Sequence, residues 1–343
     1  MRNRILRTLL VGGSAFALLA CAEGETEAET EIETPEMAMT ETQQADAPAE
    51  PVMDEPAGDE ADLPSTLAEA TEGESDIAMW RVGDEDTTVY LIGTVHLLND
   101  GVDWKTDEFE TAFAEADAVY LEADVLSPEV QAQMQQLIPE LAMNPQGTTL
   151  SSYFTEEEQA EINEAIAPLG IQLAQLDPYR PWFAGVNLGV AGIMKAGGNP
   201  QAGLETIIAA DAAEAGKEMR YFETAEEQLR LLASADDEKQ ADYIVADIDE
   251  FENIEGYFSE LIGAWYDGDP EQVGEILNES FEAFPEFADL ILYRRNENWA
   301  DQLETLIEGE EGTYLVAVGA GHLADDNTVQ DYLEERGYSA ERY

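Results

Sequence analysis

Two apolar runs near opposite ends of the sequence stop at the same four-residue pattern, Gly-x-x-His. Thr88-Val89-Tyr90-Leu91-Ile92 continues as Gly93-Thr94-Val95-His96, and Tyr314-Leu315-Val316-Ala317-Val318 continues as Gly319-Ala320-Gly321-His322. These are the only two histidines in 343 residues. A short run of β-branched, aromatic and aliphatic residues closed by glycine reads as a buried strand entering a tight turn. Each turn carries an imidazole, the commonest protein metal ligand and a proton carrier near neutral pH. Matching strand-end positions imply one site built from both ends of a folded domain, and a fold that brings those ends together.

The rest of the pattern fits an α/β fold. A first strand at 77–82 leads through Gly83-Asp84-Glu85-Asp86 into the strand before His96, as a hairpin. A helix over 105–116 precedes a strand at 118–122. Helices are expected at 128–141, 156–168 and 182–196, with a small-residue helix at 203–215. Met219-Arg220-Tyr221-Phe222 is a short strand, and Thr224 with Glu227 forms a capping-box pair for the helix that follows. A mostly helical stretch runs over 236–308, broken near Gly256, at Gly268-Asp269-Pro270 and at Phe284-Pro285; strand, helix and strand return at 313–318, 328–336 and 338–342. The expected architecture is therefore a central mixed sheet from the N- and C-terminal parts, carrying a large helical insert. Ligands in such folds bind at the carboxyl ends of strands, where His96, Glu122, Glu223 and His322 all fall.

The formal net charge is -61, with only 15 lysines and arginines. Phosphate backbones demand basic surfaces, so a nucleic-acid partner is excluded as an expectation. Cys21 is the only cysteine, which rules out an internal disulfide and a thiolate-rich metal centre. A metal would be held by imidazole, carboxylate, amide and water, a set that suits Zn, Mn, Co or Fe.

The N-terminus reads as an address followed by a tether. Arg2, Arg4 and Arg7 precede an apolar run over 9–20, too short for a comfortable membrane span. Leu18-Leu19-Ala20-Cys21 resembles a bacterial lipobox, so residues 1–20 are expected to be cleaved and Cys21 lipidated. Ala22 after that cysteine leans toward the outer membrane, facing the periplasm. Residues 21–76 contain no lysine, arginine or aromatic residue and are rich in Glu, Thr, Ala and Pro, as in Glu25-Thr26-Glu27-Ala28-Glu29-Thr30-Glu31. Such a segment buries too little apolar area to offset its ordering entropy and reads as a disordered acidic stalk. Residues 77–343 are then the folded domain.

Further candidates for chemistry stand beside the histidines. Glu122 ends a strand whose neighbours Tyr120 and Leu121 look buried, so its carboxylate is paired, hydrogen-bonded or metal-bound unless it reaches solvent. Asp124 shares its face if the strand continues. Glu223 is either a second strand-end carboxylate or a residue stabilised by the dipole of the next helix. Arg294, Arg295 and Asn296 are conspicuous in so acidic a chain, as is Arg180. They either bind an anion or oxyanion through the guanidinium fork, or pair with surface carboxylates. Gly319-Ala320-Gly321-His322-Leu323-Ala324 also matches a dinucleotide fingerprint weakly. His-Glu-x-x-His, Gly-x-Ser-x-Gly and P-loop motifs do not occur in the sequence.

Five ordered motifs together resemble the TraB/GumN family, related to the TIKI metalloproteases. They are Leu91-Ile92-Gly93-Thr94-Val95-His96, Leu121-Glu122-Ala123-Asp124, Phe222-Glu223-Thr224-Ala225-Glu226-Glu227-Gln228, Arg295-Asn296-Glu297-Asn298-Trp299-Ala300 and Val318-Gly319-Ala320-Gly321-His322-Leu323. Phe222 departs from the family's more usual leucine. Ala324 and Asp325 stand where a glycine often follows the last His-Leu pair. The resemblance implies an α/β fold akin to the erythromycin-esterase and haem-binding ChaN-like group. It implies a divalent-metal site on His96, His322 and a glutamate, linked in the TIKI branch to peptide hydrolysis with Mn or Co. On that footing the expected function is a lipid-anchored, metal-dependent hydrolase acting on a peptide or other small substrate. His96 and His322 bind the metal, and Glu122 is a ligand or the general base, a choice the sequence leaves open. Glu223 is a further carboxylate, Arg295 stabilises the oxyanion and Asn296 fixes it. The alternative is a lipoprotein that captures haem or a metal complex without turnover.

Overall fold

The computed structural model describes residues 66–343, apart from 247, 249, 250, 252 and 282–284. The leader, Cys21 and the acidic segment to residue 65 lie outside the described residues. Among the described residues six strands are seen: β1 (Met79–Gly83), β2 (Thr87–Thr94), β3 (Ala118–Ala123), β4 (Glu218–Glu223), β5 (Gly312–Gly319) and β6 (Glu341–Arg342). They form one mixed sheet in the order β4-β3-β5-β2-β1-β6. β1 and β2 are the expected hairpin, and Asp84 Oδ1 closes its turn by accepting from the N–H groups of Asp86 and Thr87. β2, β5, β3 and β4 run parallel. β6 is shorter than expected, two residues paired antiparallel to β1 at the edge.

The register decides where the site forms. β5 lies between β2 and β3, with Gly93 opposite Val318, Thr94 opposite Gly319, and Leu121 opposite Ala317. On the far side of β3, Ala123 pairs with Glu223. The two Gly-x-x-His turns therefore leave adjacent parallel strands, one residue out of step, and Glu122 and Glu223 end the next two strands at the same edge. The chain steps from β2 to β3 to β4, then returns to insert β5. That reversal is the kind of switch point where open α/β sheets leave a crevice.

Helices cover both faces, which is why β2 and β5 read as near-continuous apolar runs. In chain order they are α1 (Leu67–Ala70), α2 (Asp107–Glu115), α3 (Pro128–Ala142), α4 (Glu156–Ile166), α5 (Leu173–Leu176), α6 (Pro181–Lys195) and α7 (Leu204–Ala215). After β4 come α8 (Ala225–Ser234), α9 (Asp237–Ala246), α10 (Ile254–Tyr266), α11 (Pro270–Phe281), α12 (Pro285–Ala288), α13 (Arg294–Gly309) and, after β5, α14 (Val329–Glu335). Alternation along the strands sorts the core in two. Ile92, Val119, Leu121, Leu315 and Ala317 pack under the helical insert, while Val89, Leu91, Ala118, Val316 and Val318 pack against α13 and α14.

Some helix ends differ from the sequence reading for local reasons. The break expected near Gly256 falls just before Ile254, and Gly256 itself lies in the first turn of α10. A glycine is tolerated in a helix interior at about 1 kcal/mol, and here the buried stripe of Phe258, Leu261, Ile262 and Trp265 outweighs it. Gly268 does end α10, with a left-handed φ of 67°. Helix α1 falls within the segment read as stalk, and its Leu67 and Ala70 are buried. Among the described residues no helix is long and apolar enough to cross a membrane.

α13 positions much of the site. Its buried residues, Arg295, Asn296, Trp299, Ala300, Leu303, Leu306 and Ile307, follow the three-to-four spacing of one helical face. Burial of Trp299, Leu303 and Ile307 contributes about 1.5–3 kcal/mol each. The same stripe carries Arg295 and Asn296 to the carboxyl ends of the strands. A π-helical turn over Asp289–Tyr293 leads into it, with Arg294 N–H bonded to Asp289 O.

Two close approaches lock the His96 turn. A Cβ on Gly93 would stand 2.9 Å from Ala320 Cα, so the two turns touch backbone to backbone. A Cβ on Gly203, at the start of α7, would stand 2.1 Å from His96 O. Gly203→Ala is expected to destabilise the protein by about 1–3 kcal/mol in urea unfolding. Gly309→Ala, with no atom within 4 Å of the added Cβ, is the matched control and is expected to be neutral or slightly stabilising.

Candidate active site

Glu122 is fully buried at the end of β3. Its Oε1 accepts from Gly319 N–H at 2.8 Å, and its Oε2 accepts from Arg295 Nη2 at 2.6 Å and from Gln228 Nε2 at 3.2 Å. Burial alone would push this carboxyl up. The Arg295 guanidinium, then His322, His96 and the Gly319 N–H, together outweigh it and hold the group well below the usual carboxylate range. Glu122 is therefore a fixed negative charge at the centre of the site.

His322 sits in a chain of hydrogen bonds that fixes its tautomer. Arg295 Nη1 lies 3.0 Å from His322 Nε2, and a guanidinium has donors only, so Nε2 is the acceptor. The ring proton is then on Nδ1, which donates to Asn296 Oδ1 at 2.5 Å. Asn296 is oriented in turn by donating from Nδ2 to Asn327 O at 2.8 Å. The Trp299 ring packs on His322 at 4.3 Å between centroids, and the Arg295 guanidinium lies over the same indole at 4.7 Å. Asp325 and Asn327, in the loop after His322, both have positive φ, 65° and 58°. Asp325 thus adopts a glycine-like backbone. Strain of order 1 kcal/mol is stored beside the site, with Asp and Asn the residues that bear it best.

His96 is held from the opposite side. Its Nδ1 lies 2.8 Å from Glu205 Oε1, and Thr94 Oγ1 donates to the same oxygen. A carboxylate has acceptors only, so Nδ1 carries the proton and Nε2 is the other ring nitrogen to consider. Burial would lower the pKa of His96, but the charge and hydrogen bond of Glu205, with Glu122 beyond it, raise it. Glu205 was not a candidate from sequence. It stands in the first turn of α7, where an acidic residue reads as ordinary dipole compensation. Only the fold reveals that it is 4% exposed and faces His96.

Arg295 links the parts. Its Nε donates to both oxygens of Glu223, at 3.0 and 3.2 Å, and Nη1 also donates to Ile291 O at 2.9 Å. Trp299 Nε1 donates to Glu223 Oε1 at 2.8 Å. Burial works against the guanidinium charge, but Glu122 and Glu223 more than restore it, and the pKa of Arg295 is raised. Gln228, the last residue of the motif that begins at Phe222, is a second site contact whose role the sequence left unread.

Other candidates lie elsewhere. Arg180 is a structural staple of the insert, donating to Asp237, Leu141 O and Ala233 O. Arg294 is exposed and pairs with Asp289. Asp124 accepts from Leu126 and Ser127 N–H groups in the turn before α3.

The donors suit a divalent metal in kind. Both imidazoles are oriented through Nδ1 by an oxygen acceptor, the arrangement that turns Nε2 of a metal-bound histidine toward its ion. The carboxylates of Glu122 and Glu223 face the Arg295 guanidinium, and that of Glu205 faces His96. They are not gathered as a cage, however. Among the described residues no three His, Cys, Asp or Glu side chains are grouped to hold one ion, and Arg295 fills the position facing His322 Nε2.

The model of the TraB/PrgY/gumN family matches residues 78–342. No curated protein and no solved structure matches the chain.

Removing one partner of a buried ion pair leaves the other charge uncompensated. Arg295→Met is expected to cost about 3–5 kcal/mol. In a double-mutant cycle with Glu122→Gln the two losses are expected to fall short of additivity by about 0.5–3 kcal/mol. Urea unfolding of the four proteins measures this, and strict additivity would contradict the coupling.

Proposed function

We propose that this chain, which belongs to the TraB/PrgY/gumN family, is a divalent-metal-dependent hydrolase of peptides, tethered to the cell envelope through a lipidated Cys21. The observation that supports the reading is that His96, His322 and Glu122 stand at the carboxyl ends of three adjacent parallel strands, with Glu205 and Asn296 facing Nδ1 of the two imidazoles. His96, His322 and Glu122 are the residues that would hold the metal, with Mn, Co, Zn and Fe as the candidates. Bound there, a divalent ion supplies an acidified water and a Lewis acid for a scissile carbonyl.

The chain's own groups have distinct tasks in this reading. Both oxygens of Glu122 already accept hydrogen bonds, which suits a fixed ligand charge better than a mobile proton acceptor. Glu205 and Asn296 face Nδ1 of the two imidazoles and fix the orientation of each ring. Glu223 holds Arg295 and Trp299, and Arg295 is the cation placed to meet negative charge developing on a substrate oxygen. The lipobox-like Leu18-Leu19-Ala20-Cys21 and the acidic stretch behind it support a periplasm-facing lipoprotein of the outer membrane. The net charge of -61 weighs against nucleic acid as a partner.

The test is metal content after reconstitution, together with cleavage of a quenched peptide library. The wild type is expected to hold near-stoichiometric metal and to cleave. His96→Ala and His322→Ala are each expected to lose both while staying folded by circular dichroism. Glu205→Gln is expected to weaken metal affinity about 10-fold, the effect of losing an orienting partner. Metal content and cleavage untouched in both histidine variants would sink the assignment.

A further inference from the structure

A metal and Arg295 cannot both use His322 Nε2. That nitrogen has one lone pair, directed at Arg295 Nη1 at 3.0 Å. A metal–imidazole bond of about 2.0–2.1 Å requires the same lone pair. Glu122 Oε2 is engaged in the same way, 2.6 Å from Arg295 Nη2. The guanidinium therefore covers two of the three proposed ligands at once.

We infer that Arg295 is a latch: it stands in for the metal as the resident cation, and loading requires its Nη end to withdraw from Glu122 and His322. The inference rests on the metal reading of this site and adds a competing group within the chain itself.

Two features make the exchange workable. The first is charge. Taken out of water without a partner, the Glu122 carboxylate would be strongly disfavoured. Arg295 neutralises it until a divalent ion arrives with a stronger charge. The second is an asymmetric mooring. Nε is held by both oxygens of Glu223, whose side chain is 14% exposed, against 0% for Glu122 and His322. The guanidinium can turn on this outer contact while its inner end leaves. The inner end is also tied to Ile291 O, inside the π-helical turn Asp289–Tyr293. π turns are rare and frequently fall at functional sites. Here the turn lies directly ahead of the residue that has to move. Withdrawal would keep the guanidinium on Glu223, beside the site rather than inside it.

The experiment is a Zn²⁺ titration of the full chain against a competing chelator, for wild type, Arg295→Gln and His322→Ala. Affinity that disappears in His322→Ala is counted as binding at the site, which removes adventitious binding to so acidic a surface. Arg295→Gln is expected to bind Zn²⁺ at least 10-fold more tightly than wild type, because the competitor is gone. Equal or weaker binding by Arg295→Gln, with wild type still binding, overturns the latch and leaves the metal site standing. If neither protein binds Zn²⁺ at the site, the metal reading falls and the latch with it. A second measurement does not depend on a destabilised variant. In the ¹H–¹⁵N spectrum of wild type, the Arg295 Nε–H signal, identified by its absence in Arg295→Lys, is expected to shift and exchange faster as Zn²⁺ saturates the site. A signal unmoved at saturation contradicts withdrawal.

Discussion

The parallel pairing of β2 with β5 is the contact on which the rest depends. These strands come from opposite ends of the domain, and everything between them is looped out to let them meet. Closing so long a loop is an entropic cost that local structure does not repay. It is offset by two apolar strands buried on both faces, one under the helical insert and one under α13 and α14. Once the strands are in register, the two Gly-x-x-His turns touch through Gly93 and Ala320, which sets both histidines at the same edge of the sheet.

The site itself is governed by charge compensation inside a buried region. Glu122, Glu205, His96, His322 and Asn296 are all buried, and Arg295 is only 6% exposed. A buried ion survives only where its partners are oriented beforehand. Each partner here is fixed by a different element: Gly319 N–H by β5, Gln228 by α8, Arg295 and Asn296 by α13, Glu205 by α7. The network thus ties helices from separate parts of the chain to one edge of the sheet. It couples stability and chemistry, since removing any member leaves another charge unmet.

The legibility of this arrangement in sequence was uneven. The strand ends were readable because the buried-strand pattern and the glycine turns are local signals. His96, His322, Glu122 and Glu223 could be placed at the carboxyl edge from them. Asn296 and Arg295 were visible as candidates because basic residues are scarce in so acidic a chain. Their burial followed from the stripe they share with Trp299 and Leu303. Glu205 was not readable, because an acidic residue in a first helical turn is common and its significance lies in a contact with His96 far away in the chain. Arg180 and Arg294 looked equivalent to Arg295 in sequence, yet one staples the insert and the other meets solvent.

The sequence by itself determined the element types, the apolar strands with their closing histidines, and a strongly acidic composition. It could do so because hydrophobic period, glycine placement and charge act over a few residues. Only the tertiary structure decided that β5 inserts between β2 and β3, that Glu205 and Asn296 orient the two imidazoles, and that Arg295 rests on His322 rather than on a surface carboxylate. Those outcomes depend on strand register and helix packing, where side chains distant in sequence compete for the same few positions, and no local pattern records which of them arrives.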